Sequence, residues 1–256
     1  MTPQKRLSGT LRVRTSWDPV ADWYNGWVGK RGSDHHRRLA IPAVLELLEP
    51  RPGEHILDIG AGQGVLAPFI VRARARYTGL DASSRLLEFA RKHHGEQGRF
   101  LLADAHRLAE LPELHQRFDA AVFLLSLQDM DPLASALTSA AWTLRHGGRL
   151  ILLMTHPCFR VPWQSGWGWD ERRKRAFRRI ESYLTPFSVP MQPYPGGNGA
   201  TRSFHRPLQA YINSLAECGL LVERLREIPA DKARAENLDN REIPLFLGLR
   251  ARKVKT

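Results

Sequence analysis

The stretch EHILDIGAGQGVL, residues 54–66, constrains the fold more than any other part of the 256-residue chain. It is an apolar run that stops at Asp58 and breaks into Gly60, Gly62 and Gly64. A strand that ends on an acid and turns through glycines brings backbone N–H groups against a ligand. Glycine takes positive φ freely and puts no side chain in the way. Such a turn leads into a helix, and strand–turn–helix is the repeating unit of a parallel sheet.

The rest of the chain keeps that rhythm. Ser33 and Asp34 are placed to cap a helix whose apolar positions Ile41, Val44, Leu45 and Leu48 fall at helical spacing, with Pro50 and Pro52 stopping it. After the glycine turn come a helix in GVLAPFIVRA, a strand YTGLD ending at Asp81, a helix SSRLLEFARKH and a strand RFLLAD ending at Asp104. DAAVFLLSL is apolar almost without a break, as a strand covered on both faces is. Asp131-Pro132 reads as N-cap and first-turn proline of a helix carrying LASALTSAAWTLR, His146-Gly147-Gly148 as its end, and RLILLMT as the fifth strand. A helix RPLQAYINSLAECG follows, then strands LLVERLREI and IPLFLGLRARK with no helix between them. The expected fold is one α/β domain over residues 1–256. It is doubly wound, with a mostly parallel seven-stranded sheet and an antiparallel C-terminal edge hairpin.

Composition narrows the setting. The 43% hydrophobic content supports a real core, and no apolar run approaches the ~20 residues of a membrane span. MTPQKRLSGTLRVRTSW lacks the apolar core of a secretory signal and reads as a polar leader. Cys158 and Cys218 cannot form a disulfide framework, which fits a reduced, cytoplasmic compartment. The net charge is +12, yet 31 of the 38 basic residues are arginines scattered along the whole chain. That spread fits a coding bias as well as a phosphate-binding face. The histidines show no metal-ligand spacing, and no metal site is expected.

A dinucleotide site would space its glycines G-x-G-x-x-G and carry its acid about 20 residues later. Here position 65 is Val, and Asp58 precedes the first glycine by two residues. A carboxylate there repels a pyrophosphate and suits an ammonium. Asp81 and Asp104, at the next two strand ends, suit ribose hydroxyls and an exocyclic amine. One such aspartate alone is an ordinary strand-end turn former. Three in register describe a ligand with a ribose, an adenine, an ammonium and no phosphate, which is S-adenosylmethionine.

In ILDIGAGQG, TGLDAS, LLADAH and HGGRLILL the chain resembles the class I S-adenosylmethionine-dependent methyltransferases, over roughly residues 35–155. The resemblance implies that Gly60 and Gly62 admit the methionine part and that Asp58 meets its amino group. It further implies that Asp81 takes both ribose hydroxyls and Asp104 the adenine amine, while Ser126 and Gln128 line the methionine side. Ala61, Gly64, Ala82 and Ala105 complete the expected cofactor set, with Tyr24 reaching in from the N-terminal segment.

The acceptor is harder to read. SLQDMDP after the fourth strand does not match the Asn/Asp-Pro-Pro-aromatic box of the superfamily's amino-methylating nucleic-acid enzymes. Cys158 in MTHPCFR stands near the place of an RNA-methylating nucleophile, although a free cysteine is more often a small apolar filler. WDERRKRAFRRIESYL (residues 169–184) has Phe177, Ile180 and Leu184 at helical spacing, with Glu171 and Arg175 as an i,i+4 pair, so an arginine-rich helix over 170–184 is expected. His156, directly after the fifth strand, is the candidate general base, and His205 a second candidate. Between His156 and Pro207 lie about 50 residues, far beyond the 2–6 of a usual connection. Its many aromatics read as a substrate cap (156–205) around an apolar pocket, closing against an N-terminal lid (1–33) through Trp17, Trp23, Trp27, Trp163, Trp167 and Trp169. The expected function is methyl transfer to a small, partly apolar acceptor. The competing readings are an RNA methyltransferase using the arginine-rich helix and a non-catalytic S-adenosylmethionine-binding protein.

Overall fold

The structure is a computed structural model that describes residues 17–191, 201–230 and 239–254. Most of the leader sequence, and Gln192–Gly197 of the proline-rich turn, lie outside the described residues.

An N-terminal helix α1 (Ala21–Val28) is followed by a helical stretch whose last part is α2 (Ile41–Leu48). Pro42 has no N–H to donate four residues back, and the preceding turn (His36–Ala40) widens to π geometry, with Ile41 N–H bonding the His36 carbonyl. Ser33 bonds the His36 ring at 2.8 Å instead of a backbone amide. Then come β1 (His55–Ile59), α3 (Ala67–Arg72), β2 (Arg76–Asp81), α4 (Ser84–His94), β3 (Arg99–Leu102), β4 (Phe118–Leu124), α5 (Leu133–Thr143) and β5 (Leu144–Thr155). The N-cap of α5 is Pro132 rather than Asp131. After the insertion, α6 (Leu208–Glu217), β10 (Leu220–Ile228), a helical turn and β11 (Phe246–Lys253) complete the domain.

The seven strands lie in the order β10-β11-β5-β4-β1-β2-β3. β1 to β5 pair in parallel, and β11 inserts antiparallel between β5 and β10. Alternate residues of one strand feed two cores: Ala121 and Phe123 face α5 and α6, while Ala120, Val122 and Leu124 face α2, α3 and α4. The strand order reverses between β4 and β1. A crevice opens there beyond the carboxyl ends, where ligands bind in open α/β sheets.

The insertion contradicts the helix expected over 170–184. It forms two antiparallel hairpins, β6 (Ser165–Asp170) with β7 (Arg175–Ile180), and β8 (Phe187–Pro190) with β9 (Arg202–His205). Trp167 pairs across the ladder with Arg178, and Gly168 with Phe177. A Cβ on Gly168 would stand 2.5 Å from the Phe177 ring, so the missing side chain is what lets the ring lie over the partner strand.

Candidate cofactor and acceptor site

A cavity of about 440 Å³ fills the crevice. Its floor is the glycine turn. Gly60 has φ +72°, and a Cβ there would lie 2.6 Å from Ser126 Cβ and 2.9 Å from Met130 Cε, so only glycine fits. Gly62 has φ +54°, and its N–H donates to Asp81 at 2.8 Å. Gly64 serves differently from expectation: it packs against Phe100 behind the turn and does not line the cavity.

The acids stand along the sheet edge. Asp58 ends β1 fully buried, with one oxygen taking the Tyr77 hydroxyl at 2.8 Å. Its other oxygen, Oδ1, is buried without a partner. Burial pushes its pKa up to about 7, with Tyr77 opposing and Asp81 adding. Asp58 and Ala61 border a recess of about 20 Å³, room for one ammonium-sized group. Asp81, at the end of β2, accepts backbone N–H groups from Gly62 and Ser83 at 2.8 Å each, and burial pushes it up to about 6. Each of its oxygens keeps a lone pair for a ribose hydroxyl. Asp104 follows β3, accepts the His106 N–H at 2.9 Å, and lines the cavity with Ala82, Ala103 and Ala105. An orphaned carboxylate oxygen, a paired acid and a third acid on successive strands fit S-adenosylmethionine, which when bound supplies an activated methyl group.

The N-terminal segment is anchored over this floor. Asp18 accepts the Ser83 hydroxyl at 2.6 Å, Asp22 holds Arg85 through both oxygens, and Gln63 donates to the Gly29 carbonyl. These contacts bring Trp17 and Tyr24 into the cavity wall. Burial, then Asp129, Asp81 and Asp58, raise the Tyr24 pKa, which puts its hydroxyl among the three acids.

The catalytic histidines expected from the sequence are not in the cavity. His156 Nδ1 accepts the Cys158 N–H at 3.2 Å, so its proton is on Nε2 and is given to Glu227 at 2.9 Å. Both nitrogens are used, and burial lowers its pKa. His205 donates to the Tyr183 carbonyl at 2.7 Å beneath β9. Cys158 bonds the Tyr183 hydroxyl at 3.4 Å, and Gln128 accepts the Thr155 N–H. All four lie outside the cavity lining, in contacts that hold the insertion and the β4–β5 ends together.

Nor do the insertion's tryptophans make an apolar pocket. Trp163, Trp169 and Leu184 are 67%, 52% and 68% exposed, and the guanidinium groups of Arg160 and Arg178 each stand over the Trp167 ring. Trp23 stacks on Trp27 within the N-terminal segment. Among the described residues, what the insertion gives the cavity is Arg202 and Phe204 of β9.

The residue that sequence reasoning missed is Asp129. It sits in a single 3-10 turn (Leu127–Asp129) after β4 and lines the cavity with Ser126, Met130 and Asp131. Its Oδ1 is buried without a partner although the residue is partly exposed. Burial pushes it up to about 7 against the Ser203 hydroxyl and the Arg206 guanidinium. The signal was available: an acid in the short segment that follows the fourth strand.

Residues 57–152 match a family model described as a methyltransferase domain. A crystal structure of an S-adenosylmethionine-dependent methyltransferase from Mesorhizobium loti is similar at 26% identity and TM-score 0.69, covering 82% of this chain and 96% of that one. A demethylmenaquinone methyltransferase of Tropheryma whipplei is 32% identical over 58% of this chain and 61% of its own length. A ubiquinone biosynthesis O-methyltransferase of Coxiella burnetii is 27% identical over 59% of this chain and 64% of its own. The chain thus spans somewhat less than two thirds of these two curated relatives. With the glycine turn, the three strand-end acids and the seven-stranded sheet, the methyltransferase domain matched over residues 57–152 supports a class I S-adenosylmethionine-dependent methyltransferase, with S-adenosylmethionine as its cofactor.

Proposed function

We propose that the enzyme methylates a small, partly apolar organic molecule. The observation that carries this is the cavity wall beyond the cofactor positions. Met130 and Phe204 give it apolar surface, and Asp129, Asp131 and Arg202 give it a few convergent polar groups, as small-molecule sites have. The two curated relatives, named for demethylmenaquinone and ubiquinone biosynthesis, support the same acceptor class. The arginine-rich segment does not favour RNA: it is a hairpin outside the cavity lining, and Arg173, Lys174 and Arg179 pair with Asp170, Glu171 and Glu181. Labelled S-adenosylmethionine offered to RNA and to the small-molecule fraction of a cell extract, at two salt concentrations, tests the reading. Label entering only RNA would refute it, and cofactor binding with no transfer at all would favour a sensor.

The same reading makes residues 1–33 and the insertion 156–205 covers of one site, since each gives the cavity two side chains, Trp17 and Tyr24, Arg202 and Phe204. Removing residues 1–30 should then abolish turnover with the circular dichroism of the sheet unchanged. Normal turnover by the truncated enzyme would leave the insertion as the sole cover.

A further inference from the structure

The acids of the site follow the order of the sheet. Strands stand about 4.8 Å apart, and the order β4-β1-β2-β3 sets Asp129, Asp58, Asp81 and Asp104 in a row along the carboxyl edge. The cofactor assignment uses the last three, from ammonium over β1 to adenine over β3. The acceptor has to approach from the remaining side, over β4, and there the cavity is lined by the carboxylate of Asp129, whose buried Oδ1 has no hydrogen-bond partner.

We propose that Asp129 is the catalytic base of the methyl transfer, taking the proton of a phenol-like hydroxyl or ring N–H on the acceptor; this rests on the small-acceptor reading above. As the acceptor atom attacks the methyl carbon, its X–H bond breaks and the proton goes to the Asp129 carboxylate. The X–C bond forms, and the C–S bond breaks with its electron pair kept by sulfur. The products are the methylated acceptor and S-adenosylhomocysteine, and the proton leaves to solvent when the site opens.

The surroundings suit the role. Arg206 spends its Nη2 on the Met130 carbonyl and the Asp131 carboxylate, at 2.6 and 2.8 Å, while its Nη1 is buried without a partner and makes no hydrogen bond to Oδ1. Ser203 on β9 fixes the carboxylate from behind, Tyr24 faces it from α1, and Tyr211 from α6. Burial has already brought its pKa to about 7, so about half of it is ionised in neutral solution, and it holds a proton far better than a free carboxylate. A phenol-like hydroxyl near pKa 10 lies within about three units of it, close enough for proton transfer concerted with attack. An aliphatic hydroxyl, near water's ~15.7, does not, and this is what selects the acceptor class.

The test compares wild type with Asp129→Asn and Asp129→Glu, using labelled S-adenosylmethionine and the small-molecule extract fraction. Binding of S-adenosylhomocysteine is measured by calorimetry, and the Asp129 side-chain carboxyl is titrated by carbon-13 NMR. Asp129→Asn should bind S-adenosylhomocysteine within threefold of wild type and lose about 10²–10⁴ of transfer, with Asp129→Glu recovering part. The wild-type rate should show an acidic limb that matches the NMR midpoint and is missing from Asp129→Asn. Transfer by Asp129→Asn within fivefold of wild type, or a carboxyl that does not titrate between pH 6 and 8, overturns the base while the methyltransferase reading stands. If Asp129→Asn does not fold, disagreement between the wild-type acidic limb and the NMR midpoint overturns it. A wild type that binds cofactor but transfers nothing overturns the small-acceptor reading and the base with it.

Discussion

The two walls of the cavity are built in different ways. On the β1–β3 side each acid lies within two residues of a strand end, and the parallel ladder sets the spacing between neighbours. On the β4 side the groups come from a 3-10 turn and from β9, which lies about 75 residues further along the chain and is held there by side-chain bonds such as Arg206 to Asp131. The first wall is a property of the sheet and the second of how an insertion packs on it. A cofactor common to a superfamily belongs on the first, and an acceptor that differs between its members on the second.

That contrast is best broken at Asp81. Two charge-assisted hydrogen bonds at about 1.5–3 kcal/mol each predict that Asp81→Ala weakens S-adenosylhomocysteine binding at least a hundredfold, with the fold intact. Unchanged affinity in calorimetry would remove Asp81 from the site. His156→Ala should act on the other wall, and on stability only. Losing a buried hydrogen-bonded ring predicts about 1–3 kcal/mol of destabilisation in a denaturant titration, with turnover per folded molecule kept. A lost turnover in fully folded protein would restore His156 as a base.

The pH dependence of cofactor binding sharpens the first wall further. Asp58 and Asp81 are raised by burial to about 7 and about 6, so both take up protons in the cofactor-free protein as the pH falls. A cationic ligand prefers the carboxylates. Affinity should therefore be full above pH 7 and fall by up to about tenfold per unit and per proton between pH 7 and 5. A flat profile by calorimetry would mean that neither acid meets the ligand's charge. The smallest effect belongs to the outer hairpin: Trp169→Ser, at a half-exposed position outside the cavity lining, should change stability by less than about 0.5 kcal/mol and leave turnover alone.

Much of this molecule was legible in its residues. Asp58, Gly60, Asp81 and Asp104 could be placed because a parallel strand has a short register, and the residue that ends it can only face the crevice. The alternation of helices and strands, and the antiparallel last pair, follow from local patterning of the same kind. Residues 165–180 were not legible. Phe177, Ile180 and Leu184 fall at helical spacing, yet Trp167 and Trp169 alternate with Gly166 and Gly168, and cross-strand pairing with 175–180 supplies contacts that no single segment contains. His156 stands where a base would, but its partner Glu227 is 71 residues away, and only the fold shows that both ring nitrogens are taken. The sequence by itself determined the strands of the sheet and the acids at their carboxyl ends, because those depend on backbone periodicity and on contacts within one strand–turn–helix unit. The tertiary structure alone decided which side chains line the cavity over β4. Those places depend on an insertion folding back onto β4, and the burial that leaves Asp129 with an unused oxygen exists only once the two have met.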